Sequence, residues 1–173
     1  MLLLGLLTAA IAVSSVALAN GNDDGDEFTA RLNGYNEIVG GPGPESTGSV
    51  STMARGFFRA ELRRNPTRLH FTLRYEGIEG GAVTQAHPHF AQQHVGGGVM
   101  AFLCGGPKPP CPPSGTVTGD LLPSDILGPA AQGVEAGAFD EFVRALRAGA
   151  VYVNVHSTNF PEGEIRGQVR ADD

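Results

Sequence analysis

Apolar and polar residues alternate along Glu27-Phe-Thr-Ala-Arg-Leu-Asn33 and again along Phe57-Phe-Arg-Ala-Glu-Leu-Arg63, the two-residue period of a strand with one buried face. Arg68 to Tyr75 keeps that period, with one break where His70 stands beside Phe71. Val99–Cys104, Thr116–Leu122 and Ile165–Arg170 read as further strands. Val151-Tyr-Val-Asn-Val-His156 alternates without a fault, which sends Val151, Val153 and Val155 to the core and Tyr152, Asn154 and His156 to the opposite face. His156 is therefore expected outside any buried core. One stretch changes period: Phe139, Phe142, Val143 and Leu146 fall at i, i+3, i+4 and i+7. Asp140 and Glu141 stand early, Arg144 and Arg147 late, and Gly149 ends the run, which predicts one amphipathic helix of about three turns. Gly40 to Gly48 reads as a Gly/Pro loop and Asn65-Pro66 as a hairpin turn. Nine or so short strands with one short helix predict an all-β fold, an antiparallel β-sandwich.

Composition sharpens this picture. Twenty-five Gly and 12 Pro, set against 9 Phe, 3 Tyr and no Trp, fit many short elements joined by turns. Residues 1–19 carry no charge and end in the small-residue triplet Ala17-Leu18-Ala19, which predicts a signal peptide and a secreted or periplasmic protein. Residues 20–26 form a Gly/Asp/Asn tail expected to be disordered, and residues 27–171 the single domain. No second long apolar run follows, so no transmembrane segment is expected after signal removal. A net charge of −6 gives no footprint for nucleic acid. Cys104 and Cys111 flank Gly-Gly-Pro-Lys-Pro-Pro and read as a disulfide clip that stabilises by roughly 2.5 kcal/mol. A metal-binding Cys pair would need further thiols, and the chain has two cysteines in all.

Candidate chemistry lies in the histidines. His87 and His89 sit at i and i+2 in Ala86-His-Pro-His-Phe90, so on an extended segment they project to one side about 6 to 7 Å apart, within reach of one ion. Pro88 has no N–H and is expected to place the segment at a sheet edge or in a loop. His94 follows closely, and His156 stands on its own strand face, so these four are the candidate ligands. The competing reading is a chance cluster on a solvated surface. His70 reads as structural.

Several segments resemble the chordin-type (CHRD) domain: Ala30-Arg-Leu-Asn-Gly-Tyr-Asn-Glu37, Ala86-His-Pro-His89, Gly98-Val-Met-Ala-Phe-Leu-Cys104, and most specifically the ending from Ala148 to Gln168. The resemblance covers residues 27–170. It implies a secreted β-sandwich domain, found alone in bacteria and repeated in animal chordin. The family's two-histidine segment maps onto His87 and His89, and its asparagine-valine-histidine segment onto Asn154, Val155 and His156. Pro88 departs from the aliphatic residue usual in the family. His94 matches no family motif and joins the set from spacing only.

Three or four neutral imidazoles without thiolate favour a transition metal over calcium or magnesium, and iron or copper is the expected cofactor. The set is similar to copper/zinc superoxide dismutase, itself a β-sandwich with an H-x-H strand, a distant histidine, a disulfide and an arginine beside an open metal position. That analogy makes the fold immunoglobulin-like or superoxide-dismutase-like and superoxide the expected small-anion partner. Arg166 would draw the anion in, and Tyr152 or solvent would deliver protons. An ion pair from Arg166 to Glu162 or Glu164 is the alternative use of that charge. The rival function is a non-catalytic extracellular module binding protein or another ligand, and a homo-oligomer stays open. Hydrolase readings fare worse, because Ser157 follows His156 directly and neither G-x-S-x-G nor H-E-x-x-H occurs.

Overall fold

The computed structural model describes residues 26–40, 48–63 and 66–172. The predicted signal at 1–19, nearly all of the predicted tail at 20–26, most of the loop at 40–48 and Asn65 of the turn lie outside the described residues. Nine strands and one helix appear among the described residues. They are β1 (Asp26–Asn33), β2 (Arg55–Leu62), β3 (Leu69–Glu76), β4 (Val83–Phe90), β5 (Gly98–Val99), β6 (Gly115–Leu121), α1 (Phe139–Arg147), β7 (Val151–Ser157), β8 (Ile165–Gln168) and β9 (Arg170–Ala171). The all-β class with one short helix is what the alternation predicts. All strand pairs are antiparallel, and the sheet runs in the order β5-β4-β7-β8-β1-β2-β3-β6 with β9 also on β1. This single path curls around one hydrophobic core, in which Phe28, Leu73, Leu121, Val153 and Ile165, from strands far apart in that order, are all fully buried.

Helix α1 closes part of this core with Phe139, Phe142, Val143 and Leu146, the four residues of the predicted stripe. Its charges serve its ends: Glu141 pairs with Arg144, and Arg147 reaches Asp26 at 2.6 Å. Gly149 follows with φ +65°, a conformation that ends a helix at little cost only for glycine. Asp26 is the first residue of β1, one position earlier than the alternation predicts. Among the described residues no helix is long and apolar enough to cross a membrane.

Pro88 lies inside a strand, one in from the sheet edge. Its residue pairs with Val153 of β7, while its carbonyl accepts from Met100 N at 2.8 Å on the β5 side. Within a strand, a residue's N and C=O point to the same side, so the missing N–H falls toward β5 and the ladder to β7 survives. The interruption appears instead in the predicted strand Val99–Cys104. Only Gly98–Val99 is regular, and the chain rejoins β4 at the bridge between Ala86 and Cys104. Cys104 and Cys111 are disulfide-bonded at that point.

Candidate metal centre

Three strands supply the site, because residues directly opposite in an antiparallel pair share a face. His87 pairs with Asn154, His89 with Tyr152 and Gln85 with His156 across β4 and β7, and Asn154 pairs with Arg166 across β7 and β8. The other face of β7 puts Val151, Val153 and Val155 into the core. Tyr152, Asn154 and His156 do turn away from that core, yet they are buried, at 4%, 1% and 4% exposure. His156 is thus a buried histidine, against the sequence expectation. Alternation gives a side chain's direction only, and here the second face lies beneath the segment joining β4 to β5 and the turn at residues 160–163.

The rings of His87 and His156 lie 4.4 Å apart and those of His87 and His89 4.8 Å, and the candidate ligand atoms of all three fall within 4.8 Å of one another. Backbone carbonyls hold two of the rings. His89 Nδ1 faces Gly97 O at 2.9 Å, and His156 Nδ1 faces Pro161 O at 2.9 Å. A carbonyl only accepts, so in each ring Nδ1 carries the proton and Nε2 is left with its lone pair. His87 Nδ1 stands 2.8 Å from His89 Nε2 and donates to it, with Phe102 packed edge-on against the His87 ring. Burial, then the neighbouring imidazoles, lower the pKa of His87 to about 3. Burial takes His89 down to about 4 and lowers His156 as well. All three are neutral at neutral pH, the protonation state that ligates metal.

His94 is not part of this cluster. It is exposed, holds φ +64° and reaches only the rim of the open cleft, of about 880 Å3, whose floor is the three histidines. Tyr152 lines that cleft, its ring stacked on His89 at 4.6 Å. Burial raises its pKa, so the hydroxyl keeps its proton. Arg166 does not line the cleft and pairs with neither Glu162 nor Glu164 among the described residues. Its guanidinium lies 3.4 Å from the far face of the Tyr152 ring and donates to Gln92 O at 3.3 Å and Val95 O at 2.8 Å. Glu164 is held by Thr52, Ser157 and the backbone of Glu79 and Gly80. His70 is exposed on β3, 2.9 Å from Asp120.

Sequence reasoning passed over four participants: the carbonyls of Gly97 and Pro161, the ring of Phe102, and Glu37. Glu37 is 3% exposed, and its Oε1 accepts from Ile38 N while its Oε2 has no partner among the described residues. Burial raises its pKa to about 7, although Arg166 and Asn154 act in the opposite direction. Gly163 makes room for it, since a Cβ there would lie 2.3 Å from Glu37 Oε2. The triple glycine 96–98 and the recurrence of Glu37 in a family-like segment were the available signals, and neither specifies a contact.

A curled antiparallel sheet with a buried three-histidine cluster on its second face defines the class of protein. The CHRD domain family model matches residues 28–169, and the chain belongs to that family. No curated protein and no solved structure matches it.

Proposed function

We propose that this CHRD domain binds one transition-metal ion through His87, His89 and His156, and that with iron or copper it disproportionates superoxide. The observation that carries the metal assignment is the pair of fixed tautomers. Gly97 O and Pro161 O hold the Nδ1 protons of His89 and His156, so each turns an Nε2 acceptor inward, that of His89 taken by the His87 Nδ1–H until an ion displaces it, and carbonyl partners of this kind orient ligating histidines. A further fit is that His156 Nε2 stands 2.9 Å from Asn154 Oδ1. Two acceptors in contact call for a cation beside them or for the amide turned over, and the donor set suits iron, copper or zinc.

Bound iron or copper would supply the one-electron redox chemistry that the side chains of the site lack. The chain's own groups do the rest. The cleft admits a small anion to the imidazole floor. Tyr152 keeps a protonated hydroxyl on its wall, and solvent in the open cleft is the second proton source, matching two superoxide and two protons to one dioxygen and one hydrogen peroxide. Arg166 contributes its charge from behind the Tyr152 ring. Export to the periplasm or the medium belongs to the same proposal and is supported by the disulfide, which persists in oxidising compartments.

One observation favours a second reading. The cleft is far larger than a diatomic anion needs, and Ile38, Val95, Val99 and Phe102 give it apolar walls, as a site for an organic or protein ligand would have. Elemental analysis of protein purified without a metal-affinity tag, followed by superoxide decay with native protein and His156→Ala, separates the two. About one iron or copper per chain and activity lost in the variant are expected. Bound metal with equal background decay in both would leave the binding module.

A further inference from the structure

We propose that Arg166 is a positioning residue: it clamps the connection between β4 and β5, residues 91–97, and through the Gly97 carbonyl it fixes which nitrogen of His89 carries the proton. The connection has little backbone bonding of its own. Ala91 N donates to Ala150 O and Val95 N to Gln92 O, and the remaining anchors are side chains of the site. The Tyr152 hydroxyl accepts from Gly97 N at 3.4 Å, and alternate residues of the final strands supply the others from one face. Arg166 holds Gln92 O and Val95 O, Gln168 holds Ala91 O at 3.0 Å, and Arg170 reaches Gln93 Oε1 at 2.9 Å.

Arg166 is the central member of this set, because it grips both ends of the turn from Gln92 to Val95 and is only 2% exposed. Two residues beyond Val95, the chain must lie close enough for Gly97 O to meet His89 Nδ1 at 2.9 Å. Space there is tight: a Cβ on Gly97 would fall 2.0 Å from Phe90 O. The planar guanidinium also presses on Tyr152, whose other face stacks on His89. Arg166 thus reaches His89 by two routes, one through the loop carbonyl and one through the ring stack. Both carbonyls are held by the one nitrogen Nη2, so a lysine keeps the charge and the donors but has no flat face to lie against the Tyr152 ring.

The effect on metal affinity rests on the proposed metal function, whereas the effect on the tautomer does not. The test is therefore 15N NMR of the histidine rings in the metal-free protein, with loop amide exchange, for wild type, Arg166→Met and Arg166→Lys; zinc titration follows. In wild type, His89 is expected as a single tautomer with Nδ1 protonated. In both variants His89 is expected to exchange between tautomers and the loop amides to exchange at least about tenfold faster. His156, anchored by Pro161 O, should not change. Zinc affinity should fall roughly 10- to 100-fold.

A folded Arg166→Met with the wild-type His89 tautomer and loop exchange overturns the proposal. So does full wild-type behaviour in Arg166→Lys, which would make charge, not the clamp, the operative property; this variant also serves if Arg166→Met does not fold. Tautomer scrambling in the variants, with no zinc bound by wild type, would support the clamp and sink the metal reading. Zinc binding with an unmoved tautomer would do the reverse.

Discussion

Glu37 carries an unusual charge state for a carboxyl. A carboxyl whose pKa is held at about 7 when folded, against an ordinary 4.5, favours the protonated form. Its contribution to stability is fully present below about pH 4.5 and is lost as the pH rises through about 7. Glu37→Gln removes that dependence, since a neutral amide has no charged form to bury. Relative to wild type, the variant should gain about 3 kcal/mol between pH 4.5 and pH 8, read from urea midpoints at the two pH values. A difference that stays flat with pH would mean that Glu37 titrates normally. The same residue shows the limit of sequence reading at this scale. His87, His89 and His156 were legible because their spacing and strand face are local properties. Glu37 was not, because its burial depends on Asn154, Arg166 and Gly163, which are far away in the chain.

At the level of elements, the alternation located β1, β2, β3, β6 and β7 to within a residue or two, and the 3.6-residue stripe located α1. Each of these has one uniform face against the core, and such a face writes its period into the sequence. The segment from Gly98 to Cys104 does not, because its path is set by where Pro88 breaks the ladder and by the disulfide. Phe102, two residues before Cys104 of that clip, packs edge-on against His87. Replacing both Cys104 and Cys111 by Ser should destabilise the protein by about 2 to 3 kcal/mol and also weaken metal binding. Unchanged affinity in the folded double variant would separate the clip from the site. The connection at 91–97 was equally illegible, since side chains of the final strands hold it. Gly97→Ala tests its close fit directly. With Phe90 O in the way, the carbonyl must leave His89, and metal affinity should drop about tenfold or more in calorimetry.

Across the whole molecule, one curled sheet uses its inner face for the core and part of its outer face, on β4, β7 and β8, for buried polar groups. Burying three imidazoles there couples the site to global stability. Their folded pKa values lie below the ordinary 6.5, at about 3 for His87 and about 4 for His89, with His156 also lowered. The stability tied to the neutral rings is therefore fully present above about pH 6.5 and is lost as the pH falls toward those values, on the order of 2 kcal/mol each for His87 and His89 by about pH 5. Glu37 works against this over the window from 4.5 to 7, so the acid limb is cleanest in a Glu37→Gln background. In that background the metal-free protein should lose stability steeply from pH 7 to pH 5. The further change of His87, His89 and His156 to Gln should flatten the curve. An ion that binds only the folded chain adds about 2.7 kcal/mol at a free concentration one hundred times its dissociation constant, and it competes with protons for the same lone pairs. Metal-loaded protein should therefore melt higher than metal-free protein and keep that margin well below the pH at which ordinary histidines protonate. Parallel melting curves against pH for metal-free Glu37→Gln protein and the same protein with all three histidines changed to Gln would show that the cluster is not buried as described, and the metal proposal would fall with it.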